Sequence, residues 1–153
     1  MSFTNYTQCM SLLNKNQVVW EFGSGESTGV FSNRCNSVLS VDYDPVTFTM
    51  TGPRDNVTYL KADILRYDFR LLPELLADVI FFDLGLTSDD KYLYQICYER
   101  LKANNKLKSK HMIIADNTED AYVLSFRDYL QGEGYNIVME PEIVTLTGIF
   151  YTI

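Results

Sequence analysis

The chain has 153 residues, is 46% hydrophobic and carries a formal charge of −7. That length suits a single minimal domain spanning residues 1–153, and the composition excludes a disordered or fibrous protein. The excess of acid disfavours nucleic acid as a partner, and no apolar stretch reaches the ~20 residues of a bilayer span, so no membrane partner is expected.

In chain order, short apolar runs alternate with helical patterns, the signature of βα units and a parallel sheet. Thr4 to Asn14 predicts a short opening helix, Val18 to Phe22 a first strand, and Thr28 to Arg34 a helix after a glycine turn. Val38 to Asp42 predicts a second strand, with a helical turn or loop from Pro45, and Val57 to Leu60 a third. A short helix around Pro73 to Leu76 precedes a fourth strand, Asp78 to Asp83. Asp89 to Ala103 is amphipathic, with Leu93, Ile96, Cys97, Arg100 and Leu101 at helical spacing. His111 to Asp116 predicts a fifth strand. Thr118 to Gln131 predicts a helix capped by Asn117 or Thr118 and stopped by Gly132 and Gly134. Two strands close the chain, Asn136 to Met139 and Val144 to Thr152, and their short connection predicts an antiparallel hairpin. The expected fold is α/β: a mostly parallel, doubly wound sheet of seven strands ending in that hairpin.

Cys9, Cys35 and Cys97 form no C-x-x-C pair, so buried thiols in a reducing compartment are expected rather than disulfides or zinc. No basic region followed by an apolar block opens the chain, which points to the cytoplasm. The basic stretch Lys102 to Lys110 reads as a helix carboxyl terminus, complementing the macrodipole, and a solvated loop.

The acids are more informative. Five successive strands end on a carboxylate or run into one: Glu21, Asp42, Asp63, Asp83 and Asp116. The carboxyl ends of parallel strands share one edge of an open α/β sheet, and ligands bind there at the switch point. A row of acids on that edge suits a ligand with cations or hydroxyls. The Gly23-Ser24-Gly25 turn permits close backbone approach to such a ligand. A dinucleotide fingerprint needs a third glycine where this chain has Thr28, and Glu21 and Glu26 flanking the loop would repel a pyrophosphate, which disfavours an NAD-dependent oxidoreductase. Asp42 stands about where a ribose-binding acid belongs. A nucleoside without phosphates and with positive charge fits, and S-adenosylmethionine is such a molecule.

From Val18 onward the chain resembles the class I S-adenosylmethionine-dependent methyltransferases, which have a Rossmann-like fold. Glu21-x-Gly23-x-Gly25-x-Ser27 is similar to their first motif, with serine in place of the third glycine. The resemblance implies that Glu21, Gly23, Ser24, Gly25 and Ser27 hold the methionine part of the cofactor. It implies that Asp42 binds the ribose hydroxyls while Tyr43 packs on adenine, and that Asp63, followed by Ile64, accepts from the adenine amine. Asp78-Val79-Ile80-Phe81-Phe82-Asp83 and Ile113-Ile114-Ala115-Asp116-Asn117 resemble segments of the metal-dependent, catechol-type O-methyltransferases. There the matching residues, here Asp83, Asp116 and Asn117, would bind Mg2+ and orient a hydroxylated acceptor, and oxygen donors suit that ion. That group's catalytic lysine falls on Leu86 here, with Lys91 out of register.

The expected reaction is in-line methyl transfer from the sulfonium to a small hydroxylated molecule or a macromolecule. Asp83 at the reacting face and the cofactor is the first catalytic candidate, followed by Asp116 and Asn117. A binding-only, regulatory module is the alternative. His111 opens its strand and therefore sits at the edge away from the ligand. Tyr92, Tyr94 and Tyr98 read as packing or surface, and Trp20, Phe22, Phe81 and Phe82 as core. Only 17 residues precede the first strand, and the link between the last two strands is short. An acceptor pocket completed by a second copy of the chain, or a larger acceptor, is expected.

Overall fold

Valine, isoleucine and aromatic residues fill the apolar runs, and their side chains fit a pleated, buried surface. A computed structural model describes residues 11–44, 52–84, 92–116, 121–141 and 146–151. Within them the strands are β1 (Val18–Phe22), β2 (Ser37–Asp42), β3 (Val57–Lys61), β4 (Val79–Phe82), β5 (Met112–Ala115), β6 (Asn136–Pro141) and β7 (Leu146–Tyr151). They form one sheet in the order β3-β2-β1-β4-β5-β7-β6. The first five strands are mutually parallel, while β7 runs antiparallel to β5 and β6 antiparallel to β7. The connection expected at residues 140–143 shifts, because β6 runs on through Pro141; residues 142–145, between the two strands, lie outside the described residues.

Strand alternation gives the sheet two buried faces. On one, Trp20, Phe22, Leu39, Val41, Ile80, Phe82, Ile113 and Ala115 pack against helices α2 (Leu93–Ala103) and α3 (Ala121–Gly132). On the other, Val19, Val38, Val79, Phe81 and Ile114 meet Phe31 and Cys35 of helix α1 (Glu26–Arg34) and its end. Helices thus cover both faces. From β1 the chain moves outward to β2 and β3, then crosses back to β4 on the other side of β1, so the order reverses between β1 and β4. That reversal opens a crevice at the carboxyl edge of the strands.

Several expectations change. The short helix around Pro73 to Leu76 is absent; a single 3-10 turn occupies Phe69–Leu71 instead. Asp68 caps it by accepting from Arg70 N at 3.0 Å, and Pro73 forces Leu72 into an extended conformation, φ −63° and ψ 152°, which stops it. Helix α1 begins at Glu26, two residues before the expected start at Thr28. On α2 the buried stripe is Leu93, Tyr94, Cys97, Tyr98 and Leu101, whereas Ile96 is 39% exposed. The two tyrosines take the place of Ile96 by packing on Phe126 of α3. Cys35 and Cys97 are buried free thiols; Cys9 lies outside the described residues, as do most of the opening helix, the turn at Pro45, Leu86, Lys91 and the cap at Asn117 or Thr118.

The amino edge of the sheet neutralises its own charges. Asp78 accepts from Val18 N at 2.8 Å and from Lys108 Nζ at 2.5 Å. Lys102 pairs with Glu133. Lys106 is buried rather than solvated: its ammonium donates to Leu72 O at 2.8 Å and lies 3.7 Å from Glu74. His111, buried at the start of β5, has Nδ1 2.7 Å from Lys108 O and Nε2 2.7 Å from the Tyr135 hydroxyl. Burial pushes its pKa below the ordinary value.

Candidate ligand site

The turn after β1 is held in a shape that glycine alone accepts. Gly23 has φ +100°, and a Cβ placed there would lie 2.1 Å from Asp83 O. The turn is pinned to the next strand by Gly23 N donating to Val41 O at 2.8 Å and Ser24 N donating to Asp42 Oδ2 at 2.8 Å. Thr28 then caps α1 from within, its Oγ1 accepting from Gly25 N at 3.2 Å. Thr28 N donates back to Gly25 O at 3.2 Å, and the amino terminus of a helix favours an anionic group nearby.

Glu21 lies behind the turn. It is fully buried. As an odd-numbered residue of β1 it points to the α1 face, where its carboxyl accepts from Ser40 Oγ and Thr28 Oγ1, each at 2.6 Å, and from Ser27 Oγ. Ser40 also meets Ser24 Oγ at 2.6 Å. One carboxyl therefore ties β1, the turn, α1 and β2 together. Burial raises its pKa to about 7 against the pull of those hydroxyls, and the nearby Asp83 carboxylate adds to the rise. The expectation that Glu21 and Ser27 contact a ligand changes here, because both side chains are spent inside the protein.

A cavity of about 390 Å³ opens beside the turn, at the switch point. Gly23, Asp42, Tyr43, Asp63, Ile64 and Asp83, all singled out in the sequence, line it, together with Asp44, Ala62, Leu65, Leu84 and Leu93. Four of these are carboxylates and none is basic. Asp42 is oriented by backbone amides: Oδ2 by Ser24 and Oδ1 by Asp44 N at 2.9 Å. Each oxygen keeps further acceptor capacity. Asp63 Oδ1 accepts from Leu65 N at 2.9 Å, with Arg66 Nε 3.6 Å from Oδ2. Tyr43, 71% exposed, stands at the mouth.

The strand ends bring Asp83 and Asp116 to neighbouring places, each following the register pair Phe82–Ala115. Asp83 lines the cavity; Asp116 is buried and outside its lining. Among the described residues, no three His, Cys, Asp or Glu side chains gather where they could hold a metal. Asn117 lies outside the described residues, so the expected metal site at Asp83, Asp116 and Asn117 is not supported and no chemical step is assigned to it.

The hydroxyls of Thr28 and Ser40 and the apolar lining by Leu84 and Leu93 were not foreseen. Strand parity carried part of the signal: Glu21 and Ser40 fall on the same face as the helix whose first turn holds Ser27 and Thr28.

No protein-family model and no curated protein matches the sequence. Solved structures do match its fold. An rRNA methylase from Streptococcus thermophilus is 13% identical over 98% of this chain and 95% of its own, with a TM-score of 0.72. Precorrin-6y C5,15-methyltransferase from Geobacter metallireducens is 16% identical over 95% and 84%, with a TM-score of 0.68. The N-methyltransferase NodS from Bradyrhizobium japonicum, in complex with S-adenosylhomocysteine, is 14% identical over 97% and 86%, with a TM-score of 0.66. At these identities the likeness is one of fold, and the fold is that of the class I S-adenosylmethionine-dependent methyltransferases.

Proposed function

We propose that the chain, as one minimal domain, binds S-adenosylmethionine in the cavity at the β1–β4 switch point and transfers its methyl group to an acceptor. One observation carries this reading: Asp42 at the end of β2 and Asp63 just beyond β3 converge with the Gly23 turn and Asp83 on a single acidic cavity. The free acceptor positions of Asp42 suit a ribose diol, Asp63 beside Ile64 suits the adenine amine, and Tyr43 offers a ring face to the base. Gly23, Ser24 and Gly25 form the backbone turn for the methionine part, whose carboxylate suits the first amides of α1. Its ammonium and the sulfonium suit a cavity whose lining, among the described residues, holds four acids and no base. Glu21 and Ser27 serve the site by shaping the turn. NodS, of the same fold, holds S-adenosylhomocysteine, which supports the same cofactor here.

The transfer needs little covalent work from the protein, since alignment of sulfonium, methyl and nucleophile supplies much of the acceleration. Asp83 is the first candidate to accept the acceptor's proton or to orient it, followed by Asp116 and Asn117. The acceptor is a small hydroxylated molecule or a macromolecule. Tyr43 and Leu65, exposed at the mouth, support closure by a second copy of the chain, which light scattering over a concentration series tests. No helix among the described residues is long and apolar enough to cross a membrane, and we place the reaction in the cytoplasm, in keeping with the free thiols.

Titration calorimetry with S-adenosylmethionine, S-adenosylhomocysteine and NAD tests the cofactor: the first two should bind and NAD should not. Failure to bind either adenosyl compound sinks the proposal. Binding without turnover across candidate acceptors would leave the regulatory, binding-only module.

A further inference from the structure

Strand β3 ends at Lys61 with no helix to follow it, so the carbonyls beyond it need partners from elsewhere. Ala62 N still reaches β2, donating to Asp42 O at 2.9 Å. The chain then turns on itself: Asp63 O accepts from Arg66 N at 2.9 Å and from Tyr67 N at 2.8 Å, while Asp63 Oδ1 accepts from Leu65 N. These local bonds fix the shape of the turn. They do not fix its place against the cavity.

Arg100 of α2 does that. Its guanidinium donates through Nη1 to Ile64 O and through Nη2 to Tyr67 O, binding both limbs of the turn. Its central carbon lies 4.4 Å from the centroid of the Phe69 ring, a core ring that stacks in turn on Phe22 of β1. A planar fork can hold two carbonyls at fixed spacing while resting on an aromatic face; a lysine ammonium acts as a point charge and cannot do both. The cation is thereby anchored to the core on one side and to the cavity wall on the other.

We infer that Arg100 is a positioning residue for recognition of the adenine ring, holding the Asp63–Tyr67 turn so that the Asp63 carboxylate meets the ring's amino group. This rests on the cofactor reading above. Arg100 touches no ligand itself; it acts through Asp63 and Ile64, which line the cavity.

The test compares S-adenosylhomocysteine with S-inosylhomocysteine, which carries a carbonyl where adenine carries its amine. The unaltered chain should prefer the adenine compound by about tenfold or more, the worth of a charge-assisted hydrogen bond. In Arg100→Met the preference should collapse to within about threefold, with affinity for S-adenosylhomocysteine falling about tenfold. A general loosening of the fold would weaken both ligands equally and leave their ratio intact, and an intact ratio in folded Arg100→Met overturns the inference. Should that variant not unfold cooperatively, Arg100→Lys decides: it keeps the cation but loses the fork, so the ratio should fall part of the way, and an unchanged ratio overturns the inference equally. No binding of S-adenosylhomocysteine by the unaltered chain is a different result; it defeats the cofactor assignment and this inference with it.

Discussion

At the amino edge of the sheet, Asp78 accepts from a lysine ammonium and from Val18 N; at the carboxyl edge, Asp42 accepts from the backbone amides of Ser24 and Asp44. The first arrangement cancels charge and the second preserves it. Lys102, Lys106 and Lys108 are all engaged with carboxylates or carbonyls at or near the amino edge. Around the cavity, uncharged amides aim both oxygens of Asp42, and Leu65 N aims Asp63 Oδ1, with exposed Arg66 3.6 Å from Asp63 Oδ2. The same residue type is thus paired with a lysine at one end of the strands and, at Asp42, held by amides alone beside the cavity proposed to bind the cofactor.

The largest expected effect sets a glycine at each edge against the other. Gly23→Ala must accept φ +100° and a clash with Asp83 O, which should lower stability by about 3 kcal/mol and abolish binding of S-adenosylhomocysteine. Gly134, with φ +99° and open space around it, should lose about 1 kcal/mol on replacement by alanine and leave binding intact. Urea unfolding and calorimetry on both variants make the test; equal losses would break the contrast.

Next is Glu21, whose folded pKa of about 7 stands above its ordinary value of 4.5. Between those values the folded state keeps a proton that the unfolded state releases, so stability should fall as pH rises through that window and level off above it. The span is worth roughly 3 kcal/mol. The difference in unfolding free energy between the unaltered chain and Glu21→Gln, followed from pH 4 to 8, should trace that fall (the pH limits are about those of the window). A flat difference would remove Glu21 from the account.

A smaller pair sharpens the comparison between edges directly. Asp42→Ala should weaken S-adenosylhomocysteine by about one to two decades, the loss of a charge-assisted bond of roughly 1.5–3 kcal/mol. Asp78→Ala should leave that affinity unchanged and lower stability by about 1–2 kcal/mol, through the orphaned Val18 N–H and Lys108. The contrast fails if calorimetry shows both variants losing affinity alike. Smallest is Tyr135→Phe, which removes the hydroxyl between His111 Nε2 and Tyr98. About 1 kcal/mol of stability should go, detectable by thermal unfolding, with no change in binding.

Much of this division was legible in the sequence, because apolar runs ending in acids fix both the strands and the edge where the acids lie. Asp42, Asp63 and Asp83 needed only chain direction to be placed together. Glu21 stood in the same row, yet strand parity turns it toward α1, and the serines and threonine around it decide its role. What stayed hidden depends on contacts between residues distant in sequence. Arg100 looked like one more position on a helical stripe, and its bonds appear only when the fold brings the Ile64 and Tyr67 carbonyls within its reach. Lys106 belonged to a basic stretch that read as solvated, until packing closed the Leu72 carbonyl over it. Ile96 lost the buried stripe to larger tyrosine rings, and in place of the helix expected around Pro73 to Leu76 the chain forms a 3-10 turn at Phe69–Leu71 that ends before Pro73.

The central pairing of β1 with β4 joins residues some sixty positions apart, as the bond from Val18 N to Asp78 shows. The cavity needs that pairing, since Gly23 comes from one side of it and Asp83 and Leu84 from the other. Distant pairings form late because closing a long loop precedes any reward. A nucleating chain therefore offers the cofactor no complete pocket. Bound S-adenosylhomocysteine should lengthen the lifetime of the native state by slowing unfolding, while the rate of refolding stays as it is without ligand.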